Sequence, residues 1–427
     1  MSWKQTYNSK LVSVKEAASK IESGDKIWFA PISAAPVQLI EAITDRVDEL
    51  ENVDMMSGLL LHPFKFLQDP KYIGRINYHT VFYGPCARAF YDVGNVNINS
   101  VHLSKLDKVF IEEKPNVLLA DVSLPDEDGY LYYGSMGVST NGLVSELAEK
   151  IIVQVNKNQP KVKGTKHRIH VSEVDYICEF DHELVELPQP EVSEIDKKIA
   201  AHILPLITDG STIQIGLGGL ANAIGYGLVE KKNLAVHTEM FTDSMVYLAK
   251  KGVITGKMFA GFGLGNRETY EFIGEGKVEL APIYEVNNPY EVGKNDKFIS
   301  INAGLMADLT GQVCSESLGF KQYSSTGGAL DFVRGAGISK GGKSFICIPS
   351  TNTSKDGKLH STIDVSLPPG AIVTIPRTDT MFIATEYGVA DLSNKPIEER
   401  VKALVSIAHP DFREELLEKA KSKKIIK

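Results

Sequence analysis

Asp209-Gly210-Ser211-Thr212-Ile213-Gln214-Ile215-Gly216-Leu217-Gly218-Gly219-Leu220-Ala221, then after a helical segment Leu234-Ala235-Val236-His237-Thr238-Glu239-Met240, reads as turn, short apolar strand, glycine loop, helix and second strand. A run of small apolar residues ending in a carboxylate puts Glu239 at the C-terminal end of a sheet strand, where open α/β folds keep their reactive groups. A carboxylate there can attack as a nucleophile. Taken alone it reads equally as a solvated Glu at a strand end. The backbone N–H groups of Gly216 to Leu220 can receive a phosphate, a ligand carbonyl or a developing oxyanion. With Ala221 the loop also satisfies the G-x-G-x-x-[GA] dinucleotide fingerprint, and Glu239 falls where that fold keeps its ribose-binding acid. A purely structural tight turn is the third reading, and all three stay open on these residues alone.

Working outward, the same pattern occurs earlier. Gly24-Asp25-Lys26-Ile27-Trp28-Phe29 leads through Ala34-Ala35-Pro36-Val37 to Val53-Asp54-Met55-Met56, and an offset of about 186 residues superposes Ile27 on Ile213 and Gly24 on Gly210. This predicts a tandem duplication of one α/β domain. Leu187-Pro188-Gln189-Pro190 breaks helix and strand alike, and Ser193 with Asp196 forms a capping-box variant just beyond it. The predicted domains are therefore 1–187 and 191–427. The second copy has glycine where the first has Ile32 and Ser33, and glycine lets backbone approach a ligand closely, so the chemistry is expected in the C-terminal half. Further strands are predicted over Asn116–Ser123, Lys150–Val155, Ser344–Pro349 and Ala371–Ile375, and helices over Ala35–Leu50, Ala221–Val229 and Pro396–Ala408. Strands alternating with helices imply mainly parallel sheets, an α/β fold.

Composition narrows the function. The chain has 427 residues, 43% hydrophobic and 23% charged, with a formal net charge of -8. That is an ordinary globular balance, long enough for two cores, and it argues against a nucleic-acid surface. Met1 to Lys20 carries no apolar h-region and no later segment approaches a membrane span, so the expectation is a cytoplasmic protein without a membrane partner. Cys86, Cys178, Cys314 and Cys347 stand far apart without C-x-x-C pairing, as reduced thiols do, and no metal is expected.

Other motifs carry weaker signals. Gly337-Ile338-Ser339-Lys340-Gly341-Gly342-Lys343-Ser344 satisfies the Walker A letters, but a predicted helix precedes it and a strand follows, the reverse of a P-loop. Thr326-Gly327-Gly328-Ala329-Leu330-Asp331-Phe332-Val333-Arg334 is a glycine pair opening a helical turn, whose free N–H groups suit an oxyanion and whose Asp331 and Arg334 can pair at i,i+3. Glu285-Val286-Asn287-Asn288-Pro289 offers an amide donor or a simple Asn-Pro turn. His237 reads as a packed core histidine facing away from Thr238. No G-x-S-x-G, H-E-x-x-H or Cys-His cluster occurs, which disfavours serine and zinc hydrolases.

Together these segments resemble the acetyl-CoA hydrolase/transferase family, the branch of class I CoA-transferases that includes 4-hydroxybutyrate and butyrate:acetate CoA-transferases. The carriers include Phe82-Tyr83-Gly84-Pro85, Leu124-Pro125-Asp126-Glu127-Asp128-Gly129-Tyr130, His170-Val171-Ser172-Glu173-Val174-Asp175, Gly216 to Leu220, His237 to Met240, Gly311-Gln312-Val313-Cys314-Ser315-Glu316, Gly327 to Gly335, Thr385-Glu386-Tyr387-Gly388-Val389-Ala390 and Ile407-Ala408-His409-Pro410-Asp411. The resemblance implies two NagB/RpiA-type α/β domains and a CoA-transferase moving CoA from an acyl-CoA, acetyl-CoA in the first instance, to a short-chain carboxylate such as butyrate or 4-hydroxybutyrate. It implies that Glu239 attacks the thioester to give a mixed anhydride and that the CoA thiolate returns to give a glutamyl-CoA thioester. By motif position Gly216, Leu217, Gly218, Gly219 and Leu220 would line CoA, with Ser324, Gly328 and Lys340 as further CoA contacts. Gly328 would also supply an oxyanion N–H, Asn287 a second donor, and Glu386 would stand near the acyl site. CoA is then substrate and covalent intermediate with no tightly bound cofactor, and the protein a homodimer or higher homo-oligomer.

The chemistry agrees: an anhydride is costly, so binding energy from the remote nucleotide must offset it and water must be kept out. Two departures bear on the substrate. Ala329 stands where many relatives carry Gln, and Pro160-Lys161 where a Pro-Arg pair is familiar, which loosens a phosphate contact. An acyl-CoA hydrolase would use the same residues with water as acceptor, and a ligand sensor on the sugar-phosphate-binding version of the fold is the remote alternative.

Overall fold

Gly24 and Gly210 both take positive φ, +86° and +74°, with open space where a Cβ would stand. Each turns the chain into the first strand of a parallel sheet. These glycines start the two halves of the computed structural model, which describes residues 2–354 and 356–427. The chain divides into two compact units. The first comprises Met1–Leu187, Glu239–Asp243 and Met258–Val286, and the second Pro188–Thr238, Ser244–Lys257 and Asn287–Lys427.

In the first unit the helix α1 (Val14–Ala18), capped by Ser13, precedes β1 (Lys26–Phe29), and α2 (Val37–Thr44) follows it. The remaining strands are β2 (Val53–Ser57), β3 (Ile76–Thr80), β4 (Val96–Ile98), β5 (Val117–Val122), β6 (Lys150–Val155) and β7 (Tyr176–Glu179). They form one sheet in the order β7-β6-β5-β1-β2-β3-β4, all parallel. Alternate residues feed two cores. Ile27, Phe29, Met55, Tyr78, Val117 and Leu119 join one apolar cluster. Trp28, Met56, Leu118, Ala120 and Val153 join another. Burial on both faces explains why these strands read as continuous branched-apolar runs.

The second unit begins with α3 (Glu194–Ile203), closed by the reciprocal Ser193–Asp196 capping box that the sequence predicts. In chain order there follow β8 (Thr212–Ile215), α4 (Gly219–Gly227), β9 (Leu234–Phe241), β10 (Ile254–Gly263), β11 (Glu279–Leu280), which belongs to the first unit, α5 (Pro289–Gly293), β12 (Phe298–Ala303), α6 (Ala329–Ile338), β13 (Lys343–Cys347), β14 (Phe382–Thr385), β15 (Gly388–Asp391) and α7 (Ile397–Ile407). The strand order is β15-β14-β13-β12-β8-β9-β10-β11, followed by the two-residue strand Lys163–Gly164. Strands β9 and β10 begin among second-unit residues and end among first-unit ones, where β10 pairs β11 and β11 pairs Lys163–Gly164. β15 pairs antiparallel with β14, joined to it by a tight turn.

β1 and β8 coincide residue for residue at the offset of 186, Lys26 on Thr212 and Phe29 on Ile215. In both sheets the first strand sits where the order reverses, between β5 and β2 in one and between β12 and β9 in the other. Open α/β sheets bind ligands outside the strand ends at such a point.

Two expectations need correction. Ala371–Ile375 is not a strand. Only Ile375 bridges, pairing antiparallel with Val313, while Thr374 and Ile375 N–H both donate to the Val313 carbonyl. Pro368-Pro369 before it and Pro376 after it bound the segment so that a ladder cannot extend through either end, and Ile372 N–H donates to Ser317 Oγ instead of to a strand partner. The helix predicted over Ala35–Leu50 is also shorter, running Val37–Thr44 and then loosening into turns. The Walker-like stretch spans the end of α6 and the start of β13, so helix precedes and strand follows, as the sequence reading required.

Candidate active site

The glycine loop leaves the C-terminal end of β8 at the point of order reversal. Gly216 N–H donates to the Ile301 carbonyl at 2.9 Å, tying the loop to β12. Gly218 has φ 109° and ψ -179°, a region open essentially to glycine alone, and it caps α4. A Cβ on Gly219 would stand 2.5 Å from the Glu191 carbonyl and 2.9 Å from Asp196 Oδ2. Gly219 is therefore needed for close packing against the entry to α3, whereas Gly218 faces open space. Leu217 is 54% exposed. Among these residues the N–H groups opening α4 have no acceptor one turn back within the helix, the local basis for an anion site.

Glu239 is the sixth of eight residues in β9 and is half-buried. Strand alternation puts it on the side of His237 and opposite the buried Thr238. His237 is packed, edge-on to Phe298 and Phe332 at 6.1 and 6.4 Å between ring centroids. Asn295 Nδ2 lies 2.9 Å from His237 Nδ1 and also donates to the Val292 carbonyl at 2.9 Å, so the amide nitrogen is the donor and Nδ1 the acceptor. This is the satisfied core histidine the sequence suggests. Beside Glu239 on β10, a Cβ at Gly261 would meet the Glu239 carbonyl at 3.0 Å and Ile283 Cδ1 at 2.4 Å.

In the second unit Gly328 caps α6 with φ -100° and ψ 5°, and its carbonyl accepts from Phe332 N–H at 3.1 Å. The left-handed residue of the glycine pair is Gly327, at φ +56°. Ala329 is the first helical residue and is half-buried. Asn287 is fully buried between the short helix Ile283–Val286 and α5. Its neighbour Asn288 is the turn former, with Oδ1 accepting from Tyr290 N–H at 3.0 Å. Helices α5 and α6 pack through glycine. A Cβ on Gly335 would lie 2.3 Å from Val292 Cγ1, and one on Gly293 would lie 2.5 Å from Ile338 Cγ2.

The other predicted contacts are more dispersed. Ser324 N–H donates to the Glu316 carbonyl at 3.0 Å. Lys340 is exposed just beyond α6, and its carbonyl accepts from Lys297 N–H at 2.8 Å. Arg334 Nε donates to Asp379 Oδ1 at 3.2 Å, an ion pair that the i,i+3 reading with Asp331 did not foresee. Lys161 Nζ donates to the Pro125 carbonyl at 3.5 Å. Glu386 occupies the turn between β14 and β15, its Oε2 accepting from Ser350 N–H at 2.9 Å and its Oε1 from Ser350 Oγ at 2.7 Å. Ser350 is a residue the sequence reading missed, since a serine after Ile348-Pro349 carries no motif.

The first unit holds a buried polar network that no motif announced. Asp121, at the end of β5, is fully buried and accepts from Gln154 Nε2 at 2.7 Å and Gln159 Nε2 at 2.8 Å, with His182 Nε2 at 2.9 Å. Burial raises the Asp121 carboxyl above its ordinary value, with the His182 hydrogen bond opposing. Burial works against charge on His182 too, but its hydrogen bond to Asp121 prevails and raises it. The other ring nitrogen lies 3.0 Å from the Glu183 carbonyl, so both nitrogens face oxygens, a setting that favours the protonated ring.

Two parallel α/β sheets of one strand order, with a glycine loop at the reversal point of the second, define a tandem-duplicated α/β protein of the open-sheet kind. Comparison with known proteins places it within that class. The acetyl-CoA hydrolase/transferase N-terminal domain matches residues 1–187 and the corresponding C-terminal domain matches residues 265–420. The chain is 37% identical to the 4-hydroxybutyrate coenzyme A transferase of Clostridium kluyveri, over 99% of this chain and 100% of that one. It is 38% identical to the succinyl-CoA:cyclohexane-1-carboxylate CoA transferase of Geobacter metallireducens, over 98% and 97%. The crystal structure of RipA from Yersinia pestis superposes with a TM-score of 0.92 at 32% identity, each chain fully covered. The chain belongs to the acetyl-CoA hydrolase/transferase family, a family of CoA-transferring enzymes. Among the described residues no helix is long and apolar enough to cross a membrane, and no group of three or more His, Cys, Asp or Glu is placed to hold a metal ion.

Proposed function

We propose that this protein transfers CoA between an acyl-CoA and a short-chain carboxylate through covalent intermediates on Glu239. The observation carrying this reading is Glu239 on β9, in a chain that matches CoA-transferases over nearly its whole length. Glu239 would attack the thioester carbonyl and expel CoA thiolate, leaving an acyl-glutamyl anhydride. The thiolate would then attack the glutamyl carbonyl, release the first acid and leave glutamyl-CoA, after which an incoming carboxylate runs both steps in reverse. The role of Gly328 is an oxyanion N–H at the start of α6, and that of Asn287 a second donor. Gly216 to Leu220, Ser324 and Lys340 are assigned to CoA. Domains at 1–187 and 191–427, a cytoplasmic location and homo-oligomeric assembly belong to the same proposal.

Incubation with acetyl-CoA followed by borohydride is expected to inactivate the enzyme and to leave the reduced glutamyl residue in the peptide containing Glu239. Label on a cysteine or serine peptide instead would remove the assignment. Hydrolysis uses the same residues, so turnover is measured with and without added acid. A rate independent of the acid would favour the hydrolase.

For the acid we propose plain short-chain carboxylates ahead of hydroxy acids. Ala329 opens α6 beside Gly328 and lacks the amide that Gln would offer a substrate hydroxyl. One such bond is worth about 0.5–1.5 kcal/mol, so the bias should not exceed roughly tenfold. Ala329→Gln should shift the turnover ratio of butyrate to 4-hydroxybutyrate toward the hydroxy acid. An unchanged ratio would show that Ala329 does not set specificity.

A further inference from the structure

Glu386 matches a family motif and carries a carboxylate, which invites a role on the substrate. Its surroundings argue otherwise. Glu386 and Tyr387 form the two-residue turn between β14 and β15, where Thr385 faces Gly388 across the hairpin. Both carboxylate oxygens are directed at one residue of the neighbouring chain segment, Oε2 at Ser350 N–H and Oε1 at Ser350 Oγ. Ser350 is fully buried and lies three residues past the end of β13, the strand paired with β14. Its carbonyl accepts from Thr362 N–H at 3.0 Å, and Thr362 Oγ1 donates to the Pro349 carbonyl at 2.5 Å. Between Ser350 and Thr362 the chain makes an isolated two-stranded hairpin, Thr351–Thr353 against Leu359–Ser361, most of it exposed. Such a hairpin has little stability of its own, so its geometry is set by its base. That base stands at the C-terminal edge of the second sheet, the edge where open α/β sheets take their ligands.

We infer that Glu386 is a positioning residue that acts through Ser350, fixing the base of the Thr351–Ser361 hairpin, and does not touch the reacting atoms. The inference rests on the CoA-transferase reading for its kinetic test alone. The carboxylate accepts both the N–H and the O–H of Ser350, whereas Gln could keep both contacts only with Ser350 Oγ turned into the acceptor and without the charge. Charge assistance strengthens both bonds.

The test compares Glu386→Gln, Ser350→Ala and the double variant with the intact enzyme in acetyl-CoA:butyrate exchange, together with trypsin cleavage after Lys358 in the hairpin. If Glu386 works through Ser350, Glu386→Gln raises KM for acetyl-CoA by about tenfold with kcat changed by less than about threefold, and the pH profile of kcat keeps its shape. The effects of the two single changes should then fail to add in the double variant, as expected of residues that act as one contact. Both singles should speed cleavage after Lys358. A kcat loss of about a hundredfold or more in Glu386→Gln, undiminished in the Ser350→Ala background and with cleavage unchanged, would overturn the inference and return Glu386 to the reacting centre. Absence of CoA exchange in the intact enzyme would instead refute the transferase reading, and cleavage would still decide whether the clasp exists.

Discussion

Ile32 and Gly218 stand at equivalent positions under the offset of 186, and both have positive φ, 54° and 109°. Glycine adopts this region freely, but a β-branched residue does so only where its surroundings hold it. Ile32 is buried in a cluster with Ala30, Ala34, Met136 and Tyr270. The next residue is held as well, because Gln159 Nε2 donates to the Ser33 carbonyl at 2.6 Å and to Asp121 Oδ1 at 2.8 Å. Asp121 is thus the centre of a network that reaches from the first turn to His182. The pH dependence follows from the directions of the shifts. His182 is raised on folding, so its contribution is complete below its unfolded value near 6.5 and is lost as pH rises through the folded value. Asp121 is raised by burial, so its ionisation also disfavours the fold as pH rises. His182→Gln should therefore lower unfolding stability most near pH 6, by about 1 kcal/mol, the solvent-accessible ring edge keeping it below the figure for a fully buried pair. The gap should narrow toward pH 9. Urea unfolding at the two pH values measures it, and a gap that widens with pH would contradict the assignment.

At the scale of elements, Asn287 lies two residues before α5 and Gly328 caps α6, and the contact of the two helices depends on two glycines. The approach at Gly335 leaves 2.3 Å between a new Cβ and Val292 Cγ1. Gly335→Ala gains about 1 kcal/mol of helix propensity and costs about 1–3 kcal/mol of overpacking, so the steric cost outweighs the gain unless α5 shifts. The expected result is a lowered Tm together with a reduced rate of CoA exchange, as α5 moves and takes Asn287 with it. A variant with higher Tm and full rate would show that the two helices have slack here. The same element explains why the glycine pair at 327–328 could be located from sequence while its division of labour could not. Gly327 takes the left-handed turn, leaving Gly328 in a conformation any residue can adopt.

At the scale of the whole molecule, the two sheets repeat one strand order, yet only the second keeps a glycine loop at its reversal point. The second unit also exposes apolar side chains together. Phe320, 89% exposed, lies against Gly370, with Leu318, Ile372 and Val373 also exposed nearby in the chain. Ile372 N–H donates to Ser317 Oγ at 2.8 Å, which joins the two segments into one patch. Exposed apolar patches are where protein surfaces associate. A second copy of the chain is the occupant that the homo-oligomer proposal supplies. Phe320→Glu should shift sedimentation toward a smaller species, and an unchanged assembly would exclude this patch as the contact.

The sequence by itself determined the duplication, the α/β class, the glycine loop, the strand bearing Glu239 and the capped start of α3. Each is written in local chemistry: branched runs for doubly buried strands, glycine for positive φ, a serine and an acid three residues apart for a cap. It also determined the family, because many ordered motifs recur. Only the tertiary structure decided that Glu386 is spent on Ser350, that Arg334 pairs with Asp379 and that Asp121 centres a buried network. It also decided that Ala371–Ile375 is no strand despite its β-branched residues. These outcomes turn on partners 33 or more residues away along the chain, a span over which side-chain identity does not specify what a group will meet. Local propensity writes the elements, and packing assigns their polar groups.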